Sequence, residues 1–514
     1  MPATPPLILK VAQFAPDLPD LTGQGSKNIR NVMPWTSMSY GPMPGLNPYS
    51  NPLGSRCQGA VAFIDSGHNV YIFAGDQTDL FQVKAGSTSW TNVSKTAGVY
   101  SCSADSQWHW TYFNGDVIAT DYADNPQYFT LLTSSAFADL PGTPPKGRYI
   151  ATVKNAFVVL GNTNDGVNGS LPQRVWWSAA GNAKASGWPT PGSAAAATVQ
   201  SGATDLLGPA GWVQGIAPDL ANADAAVFQE DTVKRMVYAG PPTVFDFLPA
   251  QNVQGTPAPD SIVVANGIAY YLAQDGFRGF DGAEVVPIGV DRIDRTFFGN
   301  GPDACDQNNI FRVVAASDPI NRMIWWAYPG PANMGGNPNR LLGYNWAIDR
   351  WTICDISCET ICKVLSIGYT LDELYTELGY SLDNLPAPLD SLLWTGGRLL
   401  LGAFDTSHQM NFFTGPNLAP RVDTQEIEPF PGQRTLITNT RPRIDGGVPS
   451  VSIGRRETLQ AGVNYTAAVS INSLGACPVR ASGRYIRGTM TEPAGSLFTN
   501  ISGIELDGQP IGDR

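Results

Sequence analysis

The sequence predicts an all-β fold: a degenerate β-propeller of about six or seven blades, with an extended N-terminal arm and a C-terminal β-domain. Three observations predict it. The 514 residues include 54 Gly and 41 Pro, and only 15% are charged, which suits many short strands and turns better than helices. Short β-branched and aromatic runs alternate with Asn-Gly and Asp-Gly turns through most of the chain. These units recur roughly every 40 to 60 residues, near the spacing of propeller blades.

Residues 1–58 are rich in Pro, Gly and Ser, with "APDLPDL" and "NVMPWTSMSYGPMPGLNPYSNPLG". Proline lacks a ladder donor, so this stretch reads as an arm that another surface, such as the C-terminal domain, must order. Residues 59–416 carry the propeller pattern. "GAVAFIDSGHNVYIFAGDQTDLFQV" gives three strands, and "QWHWTYFNGDVIATDY" a hairpin about Asn114-Gly115. "RYIATVKNAFVVLGN" and "RVWWSAAG" follow, then "SIVVANGIAYYLAQDGFRGFDGAEVVPIG" with turns at Asn266-Gly267, Asp275-Gly276 and Asp281-Gly282. "FRVVAASDPINRMIWWAYPG", "RLLGYNWAIDRWTICD" and "SLLWTGGRLLLGAF" close the series. Each meander needs neighbours to bury its faces, and a ring of blades supplies them. The pairs Trp176-Trp177 and Trp325-Trp326 occupy both faces of their strands, as in a strand sandwiched between blades. Residues 417–514 form the C-terminal β-domain, in which Arg is frequent and Lys absent. Arg441, Arg443, Arg455, Arg456, Arg484 and Arg487 are candidates for an interface with carboxylates, or else form a solvated charged face.

The net charge of −12 gives no general attraction for DNA or an anionic membrane, although DNA sliding past a repulsive wall stays open. No apolar run is long enough to span a membrane, and "MPATPPLILK" lacks the marks of a signal peptide. Seven widely spread Cys argue against a disulfide framework and for a reducing compartment. In "CDISCETIC", Cys354, Cys358 and Cys362 would share one face if helical, but the spacing matches no common zinc pattern, so reduced structural thiols are expected. "DQTD" and "DGFRGFDG" lack the EF-hand spacing and read as turns. His68, His109 and His408 accompany no recognisable nucleophile motif, and no phosphate loop or dinucleotide fingerprint is present. "SADSQWHW" comes near the aspartate box of sialidases but has Gln107 in place of the Gly and does not recur.

The stretch near residues 369–392, "YTLDELYTELGYSLDNLPAPLDSLLW" with its flanks, is acidic. Its three Leu-Asp pairs are unevenly spaced, and Pro386 and Pro388 prevent one continuous helix, so no metal-ligand spacing results. A short helix over Leu371 to Leu378 would put Glu373 and Glu377 on one face, with Asp383 and Asp390 capping or turning the chain. Asp372, Glu373, Glu377, Asp383 and Asp390 are the candidate acidic face of this inter-blade insertion.

The ordered set "APDLPDL" with "NVMPW", "RVWWSAAGNAKASGW", "VFQEDTVKRMVYAG", "YYLAQDGFRGFDGAEVVPIG", "NRMIWWAY", "LLGYNWAIDRWT" and "GRYIRGTM" resembles the tail nozzle, tail tubular protein B or packaged-DNA stabilisation family of short-tailed bacteriophages. The resemblance implies a structural virion protein of the tail, assembled in the bacterial cytoplasm and not an enzyme, with no catalytic residues and no cofactor. It implies a homo-oligomer, a hexameric ring below the portal and adaptor rings and beside tail fibre or spike proteins. Such a ring extends the DNA channel, retains the packaged genome and conducts it at ejection. On that basis the acidic insertion is a channel-facing loop or a docking site. The alternative is a propeller-type tail protein that binds or cleaves a host surface glycan.

Overall fold

A computed structural model describes residues 7–21, 25–66, 69–84, 87–250, 254–366, 381–385, 388 and 399–512. Among these, six separate four-stranded sheets and the first four strands of a ten-stranded sheet make seven propeller blades. The first strands of the blades are Ala60–Ile64, His109–Phe113, Lys146–Val153, Val213–Leu220, Val263–Ala265, Val314–Asp318 and Thr360–Leu365. All seven line one axial cavity.

Local turn chemistry makes the hairpins. Asn114 and Gly115 both take positive φ, 49° and 88°, as do Asn266 and Gly267 at 53° and 74°; a two-residue hairpin turn with strand-matching twist needs that backbone. The apolar residues then face outwards from each blade onto its neighbours. Tyr71, Phe73 and Leu80 of blade one pack on Trp108, Val117, Phe129 and Phe137 of blade two. Every seam has a comparable cluster, so the core is divided into seven wedges rather than gathered at one centre. Trp176, Trp177, Trp325 and Trp326 are all buried in these wedges, as expected from their strands.

The ring closes with a strand from the arm. Blade seven takes Thr360–Leu365, Leu399–Phe404 and Gln409–Phe412 from late in the chain, and its outermost strand is Asn47–Pro52. Pro48 and Pro52 are tolerated there because the strand has a partner on one side only, in the register Asn411↔Pro48 and Gln409↔Pro52. The Trp90 indole, from blade one, donates to Ser50 Oγ at 3.0 Å and fixes the strand against the next blade.

The rest of the arm is woven into the C-terminal domain. Leu7–Lys10 lies antiparallel on Phe498–Pro510, and the hairpin Val32–Thr36 with Ser39–Pro42 extends the same sheet. Ile29–Arg30 sits between Arg350–Cys354, the last strand of blade six, and Arg421–Asp423. One ten-stranded sheet therefore runs from blade six through the arm into Tyr485–Thr491 and Ser450–Arg456 of the C-terminal domain. The wedge between blades five and six continues into that domain through Ile29, Val422, Ile453, Ile486 and Ile504.

"CDISCETIC" is not helical, so the shared helical face does not arise. Cys354 ends one strand, Cys362 lies in another and Cys358 lies in the connection between them. All three are buried free thiols, and burial pushes Cys358 and Cys362 up to about 12, out of the thiolate range at neutral pH. The Trp108 of "SADSQWHW" donates its indole N–H to Asp76 O at 2.8 Å, a packing role at the first seam.

Candidate functional site

The axis is the position that all seven blades share. Its cavity is about 380 Å³, and its wall mixes aliphatic residues such as Val61, Ile150, Ile216, Val264 and Ile361 with polar ones such as Gln107, Ser317 and Lys363. One end is bolted. His109 opens the first strand of blade two, and Asp260 lies in the turn Pro259–Ser261 ahead of blade five. Their side chains meet across the axis, with Nε2 of His109 donating to Oδ1 of Asp260 at 2.9 Å. Tyr149 meets the imidazole edge to face at 5.0 Å and donates its hydroxyl to Gln214 Oε1 at 3.2 Å. Burial, then the Asp260 charge, raises the Tyr149 hydroxyl above its ordinary range, so it stays a donor. The bolt ties two nearly opposite blades and narrows this mouth. Beside it, Arg312 donates to Asp105 at 2.6 Å, while Arg148 stacks over Tyr122 at 5.0 Å.

A second constellation lies where the ring closes. Glu359 precedes the first strand of blade seven, and its side chain is 2% exposed. Its Oε2 accepts the Cys57 N–H at 2.9 Å, and its Oε1 takes a 2.6 Å hydrogen bond from His408 Nδ1. Burial pushes its carboxyl up, against the pull of those two donors. One carboxylate thus joins the arm, the first strand and the outer hairpin of the closing blade.

The C-terminal arginines divide into two groups. Arg456 and Arg487 point inwards onto Glu426, whose side chain is 1% exposed, and both also face Asp20 of the arm, at 2.9 and 3.7 Å. The Glu426 hydrogen bonds raise the Arg456 guanidinium above its usual range, which fixes its charge. Of the others, Arg441, Arg443 and Arg455 are exposed and Arg484 is half-buried. Arg441 reaches Asp507 at 3.1 Å, Arg443 reaches Glu505 at 2.7 Å and Arg484 reaches Glu428 at 2.6 Å. Arg455 donates to Ser482 O at 3.2 Å. Of the acidic candidates, Asp383 is exposed in the short turn Leu382–Asn384, and Asp372, Glu373, Glu377 and Asp390 lie outside the described residues. Sequence reasoning did not pair His109 with Asp260 or Glu359 with His408, because no local signal links residues 151 and 49 positions apart.

No protein-family model matches the chain, and no curated protein matches it. Solved structures do. YCF48 bound to D1 peptide is similar over 61% of this chain and 86% of that chain, with 13% identity and a TM-score of 0.33. A chain of a mitotic checkpoint complex is similar over 72% of this chain and 93% of that chain, with 8% identity and a TM-score of 0.36.

Proposed function

We propose that the chain is a structural subunit of a short-tailed phage tail, one copy in a ring that extends the DNA channel below the portal and adaptor. The observation that carries this reading is the ten-stranded sheet, which joins propeller and C-terminal domain through the arm strand Ile29–Arg30 into one stiff body. A subunit that must hold a pressurised conduit needs that continuity, whereas a binding propeller on a linker does not. The ordered sequence resemblance supports the same reading.

The conduit is then the hole of the ring and not the propeller axis. A cavity of about 380 Å³, crossed by the His109–Asp260 bolt, does not admit a duplex, whose major groove alone is about 12 Å wide. An acidic subunit repeated around that hole repels phosphate and lets DNA slide without sequence preference. Trp35 and Met38, 61% and 57% exposed at the tip of the arm hairpin, suit contact with a neighbour in the ring or with a fibre or spike protein.

Native mass spectrometry and cryo-electron microscopy of the particle test the reading. A hexamer on the tail axis is expected; a trimer, or density away from the axis, would sink it. Neutralising Asp372, Glu373 and Glu377 together is expected to lower ring assembly or genome retention. Unchanged values would leave that segment a plain connector.

A further inference from the structure

The mouth of the propeller opposite the His109–Asp260 bolt has a different chemistry. It opens into a cavity of about 670 Å³ whose wall includes Asn266, Arg322, Trp346 and Lys363. That volume lies within the range of small-molecule sites. Among the described residues no carboxylate lines this wall, although the chain as a whole carries a charge of −12. Arg322 and Lys363 are exposed and, among the described residues, neither makes an ion pair. Arg30, Arg174, Arg278, Arg292 and Arg312, by contrast, each hold an aspartate.

The framework fixes the backbone that carries both cations. Lys363 lies on the first strand of blade seven and also borders the axial cavity. Arg322 sits in the tight turn between the first two strands of blade six with φ 56°, and its carbonyl accepts the Trp346 N–H at 3.2 Å. Asn345 Nδ2 donates to the neighbouring Asn321 O at 3.2 Å, which braces the same turn. Trp346 stacks on Tyr270, with centroids 6.5 Å apart and planes at 28°, and is left partly exposed to the cavity. Two unpaired cations from adjacent blades therefore flank an aromatic wall on rigid elements.

We propose that this mouth binds a small organic oxyanion, a phosphate or carboxylate carried on a flat ring. The oxyanion sits between Arg322 and Lys363, and the ring lies against Trp346. Two cations that line one cavity without carboxylate partners among the described residues favour an anion there. The guanidinium offers a planar fork to the oxyanion, and the indole face excludes water from one side of the pair. The inference is independent of the tail reading, since it concerns the propeller's own axis rather than the hole of a ring.

Phenyl phosphate, inorganic phosphate, benzoate and phenol, titrated into the full chain by calorimetry and by Trp fluorescence, separate the contributions. Phenyl phosphate and benzoate are expected to bind, phosphate alone at least roughly tenfold more weakly, and phenol not at all. Comparison of the first two shows which oxyanion is preferred. Arg322→Gln and Lys363→Gln are each expected to weaken phenyl phosphate at least roughly tenfold, with Arg322→Lys restoring part of the loss. Both positions are exposed, so the variants are expected to fold, and an unchanged melting curve checks it. Equal binding of phosphate and phenyl phosphate would remove the aromatic wall from the assignment and overturn it. So would unchanged binding in both Gln variants, or no binding of any probe at 10 mM, a concentration about tenfold above the millimolar Kd of a weak site. Binding seen only when Asp372, Glu373 and Glu377 are neutralised would also overturn it, because the chain's own carboxylates would then be the occupant.

Discussion

Two buried carboxylates set a pH dependence that can be given a sign. Burial pushes Asp294 to about 6 and Asp121 to about 6, from an ordinary value of 3.8. A folded-state value above the unfolded one means that the folded chain holds the proton longer. Each group's contribution is fully present below about pH 4 and is lost as the pH rises through about 6. In Asp294→Asn the amide oxygen can still accept the Phe277 N–H. Denaturant titrations at pH 4 and pH 7.5 are expected to favour the Asn chain by roughly 1–2 kcal/mol more at the higher pH, after allowance for solvent screening. A parallel pH dependence in the two chains would mean that Asp294 ionises normally. At the Glu426 cluster two guanidiniums depend on one buried acid. Glu426→Ala leaves Arg456 and Arg487 underpaired and is expected to cost about 3–5 kcal/mol in chemical denaturation.

The blade seams are close-packed enough that single glycines matter. A Cβ on Gly75 would lie 2.3 Å from Trp108 Cδ1, and Trp108 is pinned by its bond to Asp76 O. Gly75→Ala is therefore expected to lower stability by about 1–3 kcal/mol, read as a fall in the denaturation midpoint. The hairpins at Asn114-Gly115 and Asn266-Gly267 were legible in the sequence because turn chemistry is local. So was the burial of the paired tryptophans, since both faces of those strands were apolar. The closing strand Asn47–Pro52 was not legible: its prolines mimic an unpaired arm, and its partner Gln409–Phe412 lies more than three hundred residues away. The candidate site was less legible still. The His109–Asp260 bolt and the arrangement of Arg322 with Lys363 exist only after the ring has brought distant blades together. The inward turn of Arg456 and Arg487 depends on Asp20 of the arm, which composition alone could not place.

At the scale of the whole molecule, seven apolar wedges in a closed circle make each blade depend on two neighbours. The arm is the common element, since its strands serve blade seven, blade six and the C-terminal sheet. Excising residues 47–52 leaves blade seven with three strands and bares its edge at Gln409–Phe412. That variant is expected to unfold over a broader transition at a lower temperature, measured by calorimetry, and to aggregate through the bared strand. The same weave has a consequence for biosynthesis. Asn47–Pro52 leaves the ribosome long before Gln409–Phe412, and Ile29–Arg30 long before Ile353 and Arg421. At about 5–20 residues per second, the early strands wait on the order of 20–70 s for their partners. During that interval the arm strands stay unpaired, so closure of the circle at blade seven waits for Gln409–Phe412.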